Sequence, residues 1–326
     1  MFIMKAFITG GTGFIGSHLI DFLLNKKVRI YALVRNRNNT KWLNGLDVQL
    51  LEGNLFSIPS LPSDIDYVFH IAGLTKAYNS AAYYTVNQEG TASLFKSIVA
   101  QKVYPKKIIY LSTLAATGPS FNEQPVKEYL EAQPVTPYGK SKLLGEKEAL
   151  KFKNEFPLVI IRVGAVFGPR DKDFLPYFRI IQKGVLPSVG NKQRLLSMCY
   201  VKDLVHALDL STQKDLKSGE IIHIADPQPY SWDEFGKTIA QALGKSARTV
   251  KIPFSALFLA ALASDLSSRI SKKPSPLNLY KFKEMKQKGW VADTSKAKEL
   301  LSFHPKYSLQ EAIQETIDWY LENKWL

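Results

Sequence analysis

Thr9-Gly10-Gly11-Thr12-Gly13-Phe14-Ile15-Gly16 follows a short apolar run, Lys5 to Ile8, and opens a stretch, Phe14 to Leu24, whose apolar residues recur three and four apart. A run too short for a helix, then glycines, then helical spacing, is the order strand, tight turn, helix. The glycines satisfy Gly-x-Gly-x-x-Gly from Gly11 and Gly-x-x-Gly-x-x-Gly from Gly10. In that setting Gly10 and Gly13 permit the tight turn and a close backbone approach, and Gly16 lets helix and strand pack closely. The helix N-terminus then offers free N–H groups and a partial positive charge to a pyrophosphate. Gly10, Thr12, Gly13, Phe14, Ile15 and Gly16 are the first candidate cofactor contacts.

The same alternation continues outward. Val28 to Val34, Val48 to Leu51, Tyr67 to Ile71, Ile108 to Leu111 and Leu158 to Val163 are short apolar runs, while Thr85 to Val99 and Tyr138 to Phe156 carry helical spacing. Continuously apolar strands are buried on both faces, and strands alternating with helices require right-handed crossovers. The expected fold class is α/β: a Rossmann doubly wound parallel sheet with helices on both faces and a smaller, mainly helical C-terminal substrate lobe. The pattern loosens after Gly168-Pro169, with a short run at Glu220 to Ile224 and prolines at 227, 229, 253, 274 and 276. This predicts a dinucleotide-binding domain over 1–168, its sheet completed by segments near 196–224, and a substrate-binding lobe over 169–326. The absence of repeats and low-complexity linkers predicts that the lobe packs on the sheet.

A chain of 326 residues, 45% hydrophobic and 22% charged, excludes a disordered or fibrous protein. Its single cysteine, Cys199, excludes an internal disulfide and has no acidic or histidine companions at metal-ligand spacing, so a cytoplasmic protein without a metal site is expected. The apolar start ends in Thr9-Gly10-Gly11 rather than in a long leader, and reads as a strand. The formal charge is +14, densest at Lys272, Lys273, Lys281, Lys283, Lys286 and Lys288 against Glu284. No nucleic-acid motif accompanies it, so solvated lysines are expected, with an anionic cofactor, substrate or membrane surface as other attractors. Phe254 to Leu266 is too short to span a bilayer and runs into Asp265 and Arg269. It reads as a core helix or substrate lid, with peripheral membrane contact as the second reading. The expected partner is a small-molecule substrate, and a homodimer is a compatible assembly.

The second strand ends Ala32-Leu33-Val34-Arg35, which puts Arg35 about 20 residues past the fingerprint, where an NAD-specific protein places Asp or Glu for the ribose 2′-hydroxyl. A cation there, with Arg37 as a second, suits a 2′-phosphate, so NADP is expected over NAD. The other reading is an exposed arginine beside the polar loop Asn36-Arg37-Asn38-Asn39. Further on, Tyr138-Gly139-Lys140-Ser141-Lys142 begins a helix after Pro134 and Pro137. Tyr138 and Lys142, at i and i+4, share one face, which brings an ammonium near a phenol. Lowering a phenol from about 10 toward neutrality takes about 4 kcal/mol of preferential phenolate stabilisation. Ser112 and Thr113 end the strand Ile108 to Leu111, where a hydroxyl can hold a substrate oxygen while Tyr138 exchanges its proton.

These segments together resemble the extended short-chain dehydrogenase/reductase family. The motifs are Thr-Gly-x-x-Gly-Phe-Ile-Gly at Thr9 to Gly16, Gly53-Asn54-Leu55, His70-Ile71-Ala72-Gly73, Val86-Asn87-Gln88-Glu89-Gly90-Thr91, Tyr-x-x-x-Lys at Tyr138, and Arg162 to Pro169. The resemblance implies Thr113 as the hydroxyl contact, Tyr138 as acid/base, and Lys142 as the residue binding ribose and tuning Tyr138. It adds Asn54, Leu55, Ala72 and Gly73 to the cofactor contacts. Nucleotide-sugar dehydratases of the family carry Thr-Asp-Glu where this chain has Ser112-Thr113-Leu114, and nucleotide-sugar enzymes usually carry Asn where Ala165 stands. With the Leu-Val-Arg ending of the second strand, this looks more like the 3β-hydroxysteroid dehydrogenase and dihydroflavonol-reductase branch. The implied function is interconversion of a secondary alcohol and a ketone by hydride transfer. The alternatives are a nucleotide-sugar epimerase using a transient hydride and a non-catalytic cofactor-binding scaffold, the latter disfavoured by intact Thr113, Tyr138 and Lys142.

Overall fold

The computed structural model describes residues 4–120, 124–190, 194–275 and 277–326; Met1 to Ile3 and Pro276, which entered the reading above, lie outside the described residues. Six strands arise where the apolar runs stand: β1 (Lys5–Thr9), β2 (Arg29–Val34), β3 (Val48–Glu52), β4 (Tyr67–His70), β5 (Lys107–Thr113) and β6 (Leu158–Val163). The strand Glu220–Ile224 joins them at the edge of β6, and the seven-stranded sheet runs Glu220–Ile224, β6, β5, β4, β1, β2, β3. Every pairing in it is parallel. The chain reverses its winding direction between β1 and β4, and ligands of such sheets bind outside the carboxyl ends of the strands at that point.

Adjacent residues on a strand face opposite sides, and the core divides accordingly. Ile8, Ile109 and Ile161 pack on one side with Leu19 and Leu23 of helix α1 (Phe14–Asn25). Their neighbours Phe7, Ile108 and Ile160 pack on the other. Each such side chain, fully removed from water, contributes about 1.5–3 kcal/mol, so shifting any strand by one residue exchanges two full sets of core contacts.

Several element boundaries differ from the sequence reading. The helix expected over 85–99 starts earlier, as α2 (Ser80–Tyr84), passes through a π-helical turn (Thr85–Glu89) and continues as α3 (Gly90–Ala100). Asn79 starts it by accepting a hydrogen bond from the Ala81 N–H, a cap no apolar periodicity reveals. A short helix, α4 (Leu114–Thr117), follows β5 directly. Helix α5 (Pro137–Leu150) stops well before Phe156, a residue that Pro157 disfavours in helical geometry. Ile71 falls just outside β4.

Beyond residue 168 short strand pairs and helices enclose a third core containing Phe178, Phe235, Ile313 and Tyr320. The apolar stretch beginning at Phe254 does form a helix, Phe254–Ser271. It is not a core helix, because its large apolar side chains lie mostly on the outside. Among the described residues no helix is long and apolar enough to cross a membrane.

Candidate active site

The cradle begins at the end of β1. Gly10 has a φ of +77°, and a Cβ there would lie 2.6 Å from the Ala72 nitrogen, so only glycine lets the turn pass against the end of β4. Gly16 closes the same turn from the helix side: a Cβ would sit 2.2 Å from the Gly10 carbonyl oxygen. Gly13 is different, being exposed, with 3.3 Å of clearance to its nearest neighbour. It is the N-cap of α1 and supplies no side-chain cap, so the first-turn N–H groups keep their capacity for an anion. The half-buried Phe14 and Ile15 pack against the core beyond residue 168, which leaves their backbone to face the cradle.

Two threonines and a histidine brace this turn from beneath. Thr91 Oγ1 donates to the Asn87 carbonyl (2.7 Å), so it accepts from His70 Nε2 (2.9 Å), and His70 Nδ1 accepts from Thr9 Oγ1 (2.7 Å). Thr9 Oγ1 in turn accepts from the Ala72 N–H at 3.2 Å. Burial pulls the His70 imidazole down to about 3, so it serves as an uncharged strut between β1, β4 and α3.

At the outer end of the cradle Thr12, Arg35, Asn36 and Asn39 line an open recess. Arg35 is exposed and has no ion-pair partner among the described residues. Arg37, the second cation considered above, is engaged: it donates to Glu52 (3.2 Å) and to the Leu50 carbonyl (3.1 Å). Glu52 stands opposite Val34 in the β2–β3 register, and its ion pair with Arg37 is exposed. Asn54 is exposed, with its Oδ1 accepting from the Phe56 N–H (2.8 Å), which leaves its amide nitrogen for a ligand. Leu55 is buried against Gly90, so its side chain belongs to the core.

The catalytic candidates come together at the end of β5. Thr136 caps α5 through the Gly139 N–H (3.3 Å), and Pro137 opens the helix, which sets Tyr138 in its first turn. Gly145 lets α5 lie against the π-helical turn; a Cβ would come within 2.3 Å of the Asn87 carbonyl oxygen. Tyr138 is half-buried beside the Thr113 side chain, and the Tyr83 ring lies 6.0 Å away. Burial pushes the Tyr138 phenol above its ordinary range, with the nearby Thr113 hydroxyl opposing.

Lys142 is buried and donates to the Leu111 carbonyl at 2.8 Å, with its ammonium 4.3 Å above the Tyr110 ring. The sequence reading placed that ammonium at the phenol; the structure holds it on the β5 backbone one turn deeper. Burial pulls it down to about 7, with Glu146 opposing. A Cβ on Gly73 would lie 3.7 Å from Lys142 Nζ. The carboxyl ends of β1, β4 and β5 thus carry one row: cradle, Ala72 and Gly73, Lys142, then Tyr138 with Thr113.

Ser112 leaves the set of candidate substrate contacts, because its hydroxyl donates to Glu146. Glu146 also accepts from Arg162 (Nε 3.0 Å, second nitrogen 2.7 Å), and both side chains are nearly fully buried. Asn87 ties the π-helical turn to α5 and the β4 loop, donating to Ser141 Oγ (2.9 Å) and accepting from the Leu74 N–H (2.7 Å). Only its place in the Val86 to Thr91 motif hinted at this role. Glu284 stands in the sequence only as the acid among the 272–288 lysines, and the structure gives it a further role: it accepts from Thr136 at 3.3 Å across 148 residues of sequence. Among the described residues no cluster of three or more potential metal-binding side chains occurs.

The profile of the NAD dependent epimerase/dehydratase family matches residues 6–225. The chain belongs to that family. Relatives include the ceramide reductase of Caulobacter vibrioides, 26% identical over 98% of this chain and 95% of the relative. The sterol-4-alpha-carboxylate 3-dehydrogenase of Candida albicans is 26% identical over 98% and 99%. The UDP-N-acetyl-alpha-D-glucosaminuronate decarboxylase of Bacillus cytotoxicus is 27% identical over 98% and 98%. UDP-glucuronic acid 4-epimerase from Bacillus cereus, solved in complex with NAD, superposes with a TM-score of 0.79 at 23% identity, covering 99% and 100% of the two chains. The extended short-chain dehydrogenase/reductase resemblance and the Rossmann α/β fold are both borne out, and the sterol dehydrogenase relative is consistent with the 3β-hydroxysteroid-type branch.

Proposed function

We propose that this protein interconverts a secondary alcohol and a ketone, using NADP(H) bound along β1, β2 and β4. The observation carrying this reading is the row of Lys142, Tyr138 and Thr113 beside a helix-capped cradle. Gly10, Gly13 and Gly16 with the first turn of α1 would hold the pyrophosphate, Thr12 and Arg35 the 2′-phosphate, Asn54 and the Leu55 backbone the adenine, and Ala72, Gly73 and Lys142 the inner ribose. When bound, the nicotinamide supplies or accepts the hydride.

In the direction of reduction Tyr138 donates its proton to the carbonyl oxygen. A phenol raised by burial is fully protonated at neutral pH, the state that step requires. Thr113 holds the same oxygen and orients the phenol. Lys142, held on the Leu111 carbonyl, would bind the inner ribose, and its tuning of Tyr138 is what the family resemblance implies. Dehydration would need a free carboxylate at this strand end, and Glu146 is locked by Arg162 and Ser112. The single cysteine and the lack of a membrane-crossing helix among the described residues fit a cytoplasmic enzyme.

The epimerase alternative uses the same Tyr138 without net cofactor consumption. Incubation with NADPH and a panel of ketones and sugar nucleotides, followed at the reduced-nicotinamide absorbance band, separates them. Stoichiometric loss of that band with a ketone supports the proposal; epimer formation at constant absorbance refutes it.

A further inference from the structure

The helix Phe254–Ser271 is amphipathic the wrong way round. Leu257, Ala261, Ser264 and Ser268, spaced i, i+4, i+7 and i+11, form its inward face; the first two and Ser268 are buried, and Ser264 is hydrogen-bonded to Ser275. The opposite face carries Phe258, Leu259, Leu262, Leu266 and Ile270, which are 42%, 63%, 45%, 60% and 77% exposed. A surface helix ordinarily buries its large apolar residues and shows its serines to water. Single exposed leucines are common, but five in one stripe about 18 Å long form a patch that marks an interaction surface.

Charge identifies what covers it. Lys251 precedes the helix, and Lys272 and Lys273 follow it, all exposed. Residues 251–290 hold eight Lys or Arg against two acids, Asp265 and Glu284. An apolar stripe flanked at both ends by lysines suits an anionic lipid surface, where each lysine near the headgroups adds about 1 kcal/mol. A second copy packed antiparallel would set Lys251 against Lys272 and Lys273, like charge on like. The polar inward face rules against full insertion and for a helix lying in the interfacial plane.

The helix is connected to the candidate active site through one intervening helix. Phe254 and Phe258 pack on Phe282 (ring centroids 6.2 and 5.4 Å) of the helix Leu279–Met285. Glu284 of that helix accepts from Thr136, the cap of the helix carrying Tyr138. We propose that the helix Phe254–Ser271 seats the protein in the plane of an anionic bilayer, so that a lipid-soluble ketone or alcohol enters the Tyr138 site from that bilayer. The substrate class rests on the alcohol–ketone reading above; the docking does not.

The test is flotation of the full chain with vesicles of phosphatidylcholine alone and of equal parts phosphatidylcholine and phosphatidylglycerol. Wild type should bind the anionic vesicles and be released by salt. Leu259→Ser/Leu266→Ser/Ile270→Ser, which removes no buried contact, should lower the partition coefficient at least about tenfold. Lys272→Glu/Lys273→Glu should lower it about tenfold or more on anionic vesicles and little on neutral ones. Equal binding by wild type and the triple variant, or no binding by wild type, overturns the docking; so does a wild-type dimer that the triple variant abolishes without any vesicle binding. Turnover with NADPH is then compared for a long-chain methyl ketone carried in the vesicles and a short-chain methyl ketone in solution. The triple variant should lose the first and keep the second, and equal loss or equal retention overturns bilayer delivery. Turnover of neither by wild type refutes the alcohol–ketone reading and the substrate class, while flotation still decides the docking.

Discussion

Replacing Glu146 with alanine should destabilise the fold severely. The Glu146 carboxylate accepts from Ser112 and from two nitrogens of Arg162, in an ion pair whose side chains are 1% and 4% exposed. Without it the guanidinium keeps one bond, to Thr117 Oγ1 at 3.2 Å, and no counter-charge. Breaking a buried pair from one side costs about 3–5 kcal/mol, a fifth or more of the roughly 5–15 kcal/mol that holds a typical domain together. Replacing both partners at once, as Glu146→Met/Arg162→Met, removes the stranded charge and should recover most of the loss. Urea unfolding of wild type, single and double variants at pH 7 is the assay, read as midpoints at constant slope. A Glu146→Ala protein within about 1 kcal/mol of wild type, or a double variant as unstable as the single, would refute the account of this pair.

Arg35→Asp should weaken NADPH binding at least about tenfold, or 1.4 kcal/mol, with NADH less affected; equal affinities for the two cofactors in wild type would remove the basis for the preference. Gly13→Val should abolish cofactor-induced thermal stabilisation yet leave an intact fold, whereas Gly16→Ala should impair folding, since its Cβ would lie 2.2 Å from the Gly10 carbonyl oxygen. The reverse ranking in thermal melts would misplace the cradle. Burial pulls the Lys142 ammonium down to about 7 from the ordinary 10.5, so between those values the unfolded chain binds the extra proton. Its burial penalty is full below pH 7 and fades as pH rises toward 10.5, and Lys142→Met should flatten that rise; an unchanged stability profile would contradict it.

Much of this was readable from residue order. The strand-glycine-helix passage at Thr9 to Gly16 is local, and short apolar runs alternating with helical spacing mark the strands of a parallel sheet, although the edge strand β3 is only partly buried. Tyr138 and Lys142 were legible because a helix fixes their spacing. The partners of those residues were not, because they depend on which strand ends meet. Ser112 and Thr113 are neighbours with similar chemistry, and only the approach of Glu146 separates them. Arg35 and Arg37 differ likewise through Glu52, which the β2–β3 register brings alongside. The helix Phe254–Ser271 misled for a physical reason: periodicity shows that a helix has an apolar stripe, not which way the stripe faces.

Tyr138, beside Thr113 at the end of β5, is the proton donor and acceptor of the proposed reaction. Phenylalanine keeps the ring and its contact with Tyr83 but removes the only hydroxyl that this mechanism uses for proton transfer. Single-turnover kinetics of wild type and Tyr138→Phe, on the ketone that NADPH reduces fastest, isolate the chemical step. The rate should fall by about 10²–10⁴ with cofactor affinity nearly unchanged; a Tyr138→Phe enzyme reducing that ketone at close to the wild-type rate would contradict the mechanism.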